Sequence, residues 1–84
     1  MLINNNTLLE NEISLLINLF NKGSCSEVIE QGKVIITKHS LSYMVYNIVG
    51  SAYSKIKKYD EALNYYRKTV EINPQFSQGF NNLG

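Results

Sequence analysis

Apolar residues recur along most of the chain at spacings of three or four residues, which is typical of helices that bury one face. This pattern is interrupted at short stretches that contain glycine, serine, lysine or proline, where turns are favoured. It predicts helices over residues 7–22, 24–39, 43–56 and 59–73, and the start of a short fifth helix at residue 77. The chain is therefore predicted to be all-α, with consecutive helices antiparallel across short turns.

One arrangement of residues occurs once completely and then begins again. The complete copy consists of Tyr46, Val49, Gly50, Tyr53, Ala62, Tyr66 and Pro74. The second copy begins with Phe80, Leu83 and Gly84, each 34 positions after its counterpart. A fixed period of this length indicates a solenoid of stacked helix pairs.

This arrangement resembles the tetratricopeptide pattern of Trp-x-x-Leu-Gly-x-x-Tyr, Ala-x-x-x-Phe and Pro. The resemblance implies helix–turn–helix repeats stacked as a right-handed α-solenoid, about two and a quarter repeats of a longer repeat protein. We expect a disordered segment at 1–6, a divergent first repeat at 7–40, a second repeat at 41–74 and the start of a third at 75–84, either truncated or retained as a capping helix.

Two glycines within predicted helices indicate close approach of a neighbouring helix. Gly50 lies in register with the rest of the motif, so its missing side chain is expected to let the next helix come close. Gly32 costs about 1 kcal/mol relative to alanine inside a helix. Close packing is the favoured reason for it, and a weak turn of the helix is the alternative.

The family resemblance implies a concave groove that binds an extended peptide or a partner helix, lined by the first helix of each repeat. The positions carried over to this chain are Ile13, Ile17, Phe20, Asn21, Met44, Asn47, Ser51, Lys55, Gln78, Asn81 and Asn82. The family's carboxylate clamp is disfavoured because Ile13 stands where its first lysine is expected. Asn82 resembles part of an asparagine ladder, but Ile48 interrupts that ladder one repeat earlier.

Three large apolar residues, Ile13, Ile17 and Phe20, mark the first predicted helix. If they are exposed on the groove face, they are expected to bind an apolar peptide or a second copy of the protein. The alternative is that they belong to the core. Periodicity cannot decide between the two, since this helix is apolar around much of its circumference.

Composition excludes several kinds of function. Eight lysine or arginine residues against seven acidic residues leave no basic surface for nucleic acid or for an anionic membrane. One cysteine and one histidine cannot form a structural zinc site or an intrachain disulfide. Cys25 and His39 are expected about 21 Å apart along one helix, too far for a catalytic dyad. We therefore predict no catalytic residues, no metal and no cofactor, and a buried thiol at Cys25.

The sequence favours a non-catalytic interaction module that binds a protein or peptide. The alternative is a set of N-terminal repeats that present substrates to a larger transferase-type enzyme. The N-terminus lacks the features of a signal peptide, and no apolar run is long enough to span a membrane, so a cytoplasmic location is expected. Fewer than three repeats leave apolar end faces, which predicts a homo-oligomer or an exchange of helices between chains.

Overall fold

The computed structural model of the protein describes residues 5–75, with side chains from residue 8 onward. Its four helices are α1 (Asn5–Asn21), α2 (Cys25–Lys38), α3 (Tyr43–Lys55) and α4 (Tyr59–Ile72). Each helix begins and ends within two residues of its predicted limits, and no strand occurs within residues 5–75. The all-α prediction is confirmed, whereas the predicted fifth helix lies outside the described residues.

The turns after α1 and α3 have the same backbone geometry. Gly23 follows α1 with φ +84°, and Lys57, 34 positions later, follows α3 with φ +68°. In both turns the amide of this residue donates to the carbonyl three positions earlier at 3.0 Å, and the next amide donates to the carbonyl five positions before it at 2.9 Å. This pair of hydrogen bonds closes a helix with a left-handed residue. The two helix pairs therefore turn in the same way at equivalent positions.

Helix α3 is the centre of the packing, because it contacts α1, α2 and α4. The residues with no exposed surface come from all four helices and include Leu16, Val28, Val45, Val49, Ala52 and Ala62. Cys25 is also buried, as the sequence predicts. A single core therefore joins the α1–α2 pair to the α3–α4 pair.

Both glycine predictions are confirmed. A Cβ atom at Gly32 would collide with Cγ2 of Val49, so α3 packs directly on the backbone of α2 at this point. A Cβ atom at Gly50 would lie 2.9 Å from Cε1 of Tyr66, well inside van der Waals contact. Each glycine lets a side chain of the following helix occupy the space that its own side chain would fill.

Candidate binding surface between α1 and α3

Apolar side chains from α1 and α3 line a continuous surface. Ile17 and Phe20 of α1 and Ile48 and Ser51 of α3 enclose a cleft of about 90 Å³. A second, wider cleft of about 330 Å³ shares Phe20 and Ser51 with the first. We call the two clefts together the α1/α3 groove, lined by Ile17, Phe20, Ile48, Ser51, Ser54, Lys55 and Tyr66.

The rotation of α1 separates the apolar residues into different roles. Leu16 has no exposed surface, whereas the adjacent Ile17 is 42% exposed. Ile13 and Phe20 are half-buried and pack against the core. Ile17 is therefore exposed to solvent, whereas Phe20 packs against the core and also forms part of the groove wall.

Lys55 lies over the ring of Phe20. Its Nζ atom is 4.7 Å from the ring centroid, which is within the range of a cation–π interaction. The contact joins the last turn of α3 to the last turns of α1, and it places a positive charge at one end of an apolar wall. The sequence indicates both residues as groove positions, but nothing in it predicts that they touch.

Tyr66 reaches the groove from α4, although the motif indicates it only as a core residue. Its ring packs against Gly50, and its hydroxyl donates a hydrogen bond to Oγ of Ser51 at 3.0 Å. Burial raises the pKa of Tyr66, and the hydrogen bond with Ser51 opposes this shift to a smaller extent. The hydroxyl therefore stays protonated at neutral pH and fixes the groove-facing serine.

Three further predicted groove residues that the structure describes lie outside the two clefts. Met44 and Asn47 are half-buried on α3, and Asn21 is exposed at the end of α1. None of the three lines either cleft. Gln78, Asn81 and Asn82 are outside the described residues. The lining instead includes Ile48, Ser54 and Tyr66.

The potential metal ligands and the Cys25–His39 pair are dispersed over the described chain. Within residues 5–75, no three histidine, cysteine or acidic side chains come together. Cys25 begins α2 and His39 follows its last residue, so the two lie at opposite ends of that helix. None of the helices described is both long and apolar enough to cross a membrane. The groove is thus a surface of apolar, hydroxyl and cationic groups.

Comparison with known proteins finds the same repeat that the spaced motif residues resemble. Residues 43–76 match the family model described as the tetratricopeptide repeat. Over 52 residues the chain is 35% identical to Heat shock protein STI1 of Saccharomyces cerevisiae, an alignment that covers 62% of the chain and 9% of the yeast protein. No solved structure matches. Residues 43–76 therefore match a tetratricopeptide repeat.

Proposed function

We propose that the protein is a non-catalytic protein–protein interaction module whose α1/α3 groove binds a peptide or a partner helix. The observation that carries this proposal is the exposed Ile17 beside Phe20 and Ile48 in one continuous groove. The same turn geometry at Gly23 and Lys57 supports treating residues 7–40 as a first repeat that shares the groove with the second.

The composition of the groove suits a peptide with both apolar and polar groups. Ile17 and Phe20 can contact an aliphatic or aromatic side chain beside the largely buried Ile48. Burial of such a side chain contributes about 25 cal/mol per Å² of apolar area. Ser54 has a hydroxyl that can accept or donate a hydrogen bond to a peptide group. Lys55 at the end of the wall favours an acidic group nearby.

We propose that the protein also associates with itself through the outer face of α1. Leu8 and Leu15 are each 48% exposed and are seven residues apart, so they share one face of the helix. Together with Glu12 and His39 they line a surface cleft on this face. A second copy that packed there would remove both leucines from water.

One pair of matched variants separates the two surfaces. The Ile17→Ser protein is expected to lose partners that the wild-type protein captures from a lysate of its source cell, whereas Leu15→Ser is expected to retain them. Both residues are exposed, so neither substitution should unfold the chain. Loss of the same partners from both variants, or from neither, would contradict the assignment of the groove.

Light scattering tests self-association. The wild-type protein is expected to have a mass above that of the 9.6 kDa monomer at high concentration. A variant that combines Leu8→Ser with Leu15→Ser is expected to be monomeric, and Ile17→Ser serves as the control that stays associated. A wild-type protein that is monomeric throughout the concentration series would exclude this part of the proposal.

A further inference from the structure

A second pocket lies between α2 and α4 and shares no residue with the α1/α3 groove. Its volume is about 290 Å³, and we call it the α2/α4 pocket. It is lined by Lys33, Ile36, Tyr46, Asn64, Tyr65 and Lys68. The tetratricopeptide motif accounts for Tyr46 alone among these six residues, so the pocket is not a consequence of the repeat pattern.

Tyrosine rings form part of the pocket wall, and contacts with other rings and a hydrogen bond hold them in place. The ring centroids of Tyr46 and Tyr65 are 6.0 Å apart, and those of Tyr53 and Tyr65 are 5.5 Å apart. The hydroxyl of Tyr46 donates to the backbone carbonyl of Ser40 at 3.0 Å. Because Tyr65 packs against two other rings and Tyr46 is held at its hydroxyl, a preformed apolar surface faces the pocket.

The charged groups that line the pocket are both positive. Lys33 and Lys68 contribute ammonium groups, and no carboxylate belongs to the lining, although Glu61 outside the lining is near enough to interact with the charge of Lys33. Nζ of Lys33 lies 5.7 Å from the ring centroid of Tyr53, which holds this lysine beside the aromatic cluster. Lys68 forms an exposed ion pair with Glu71 at 3.8 Å. Exposed pairs of this kind are weak, so an incoming carboxylate can compete with Glu71.

We infer that the α2/α4 pocket binds an acidic peptide segment in which an aromatic or aliphatic side chain lies next to a carboxylate. Its volume is just below the range of about 300–1,000 Å³ that accommodates drug-sized ligands, and it suits a single large side chain. The amide of Asn64 has a donor and an acceptor that match a peptide group. Lys33 and Lys68 then flank the carboxylate, which gives the complementarity of charge that selects an acidic partner.

The test uses the 84-residue protein and three short peptides, Glu-Phe-Glu, Gln-Phe-Gln and Lys-Phe-Lys, each blocked at both ends. The acidic peptide is expected to shift the amide resonances of residues 33, 36, 64, 65 and 68 in a ¹⁵N-labelled sample. In the Lys33→Gln, Lys68→Gln double variant, affinity for the acidic peptide is expected to fall about tenfold, because two charge contacts are lost. For the same reason, the wild-type protein is expected to bind the glutamine peptide about tenfold more weakly than the acidic peptide.

The control is Lys22→Gln, which removes an exposed lysine that lines neither the α2/α4 pocket nor the α1/α3 groove and is expected to leave the affinity unchanged. Circular dichroism of each variant checks that the helices are intact. The inference is overturned if the shifts map to the α1/α3 groove, if the three peptides bind equally, or if no shift appears at millimolar peptide. These outcomes leave the proposed groove untouched, since its own test depends on Ile17.

Discussion

The ring of Tyr66 packs against the backbone of α3 at Gly50. A methyl group at Gly50 would lie 2.9 Å from Cε1 and 3.0 Å from Cδ1 of that ring, and 3.2 Å from Cβ of Tyr65. The absence of a side chain at Gly50 therefore allows α4 to approach α3. It also places the Tyr66 hydroxyl 3.0 Å from Ser51, next to the groove. One motif residue thus links the packing of the repeat to the shape of the α1/α3 groove.

Substitution of Gly50 by alanine is expected to destabilise the protein. Overpacking of a buried site costs about 1–3 kcal/mol, and the gain of about 1 kcal/mol in helix propensity offsets only part of it. Urea unfolding should show a net loss on the order of 1 kcal/mol. Ser54→Ala, on the same helix and half-buried, provides the control for propensity. An equal or greater stability of Gly50→Ala would show that the close contact with Tyr66 is unimportant.

The turns at Gly23 and Lys57 allow a reciprocal pair of substitutions. Lys57 has φ +68°, which costs a residue with a side chain about 1 kcal/mol, whereas glycine adopts this conformation readily. Lys57→Gly should therefore raise the free energy of unfolding by about 0.5–1 kcal/mol, measured by urea unfolding.

Gly23→Ala should lower the same free energy by a similar amount. Apart from residue 23 itself and its two neighbours along the chain, no heavy atom lies within 4 Å of a Cβ at this position, so only the backbone conformation opposes the change. If both variants shift stability in the same direction, the two turns are not equivalent.

Tyr66 is expected to make the protein sensitive to alkali. Burial raises its pKa in the folded state above the value of about 10 expected in the unfolded chain. The stability from this shift is fully present below pH 10 and is lost as pH rises through the folded-state pKa, because only the unfolded chain ionises readily. Urea midpoints should therefore fall more steeply above pH 10 for the wild type than for Tyr66→Phe.

Two controls define this effect. Tyr59→Phe alters an exposed side chain and should keep the wild-type pH dependence. Burial also raises the pKa of Tyr65, so this residue too makes the stability of the fold decrease at alkaline pH. Tyr66→Phe should therefore reduce the loss of stability above pH 10 without abolishing it. At pH 7 the same variant should cost about 1 kcal/mol for the lost hydrogen bond with Ser51. Identical pH profiles for the wild type and Tyr66→Phe would contradict this role.

The helices, the positions of their turns and the two close glycine contacts could be predicted from the sequence. Each depends on local spacing or on a repeated motif, and Gly50 is fixed by its register with Tyr46 and Tyr53. The burial of Cys25 could be predicted in the same way. These features are set by the backbone and by the periodicity of burial.

The details of the groove could not be predicted, because they depend on how one helix is rotated against another. Apolar residues surround much of α1, so periodicity does not show that Leu16 is buried while Ile17 is exposed. The contact of Lys55 with Phe20 joins side chains 35 positions apart, and it is set by their rotamers. The φ of Lys57 also escapes prediction, since lysine rarely adopts a positive value.

Alanine substitutions at adjacent positions of α1 test its rotation. Leu16→Ala should cost about 2–5 kcal/mol because it leaves a cavity in the core. Ile17→Ala should change stability by about 0.5 kcal/mol or less, because the side chain is largely in solvent. Thermal unfolding of the two variants gives the comparison. A large loss of stability for Ile17→Ala would make this residue part of the core and remove it from the groove.

Photo-crosslinking from the groove tests the central claim most directly. A benzophenone amino acid in place of Ile17 is expected to form discrete adducts with partner polypeptides in the source cell, because this position faces the groove. The same amino acid in place of Glu27, exposed on α2 and outside the lining of the groove, is the control and should not form them. Addition of Lys55→Gln to the Ile17 probe should weaken the adducts. Absence of adducts at position 17, or the same adducts at both positions, would contradict the assignment of the α1/α3 groove as the binding site.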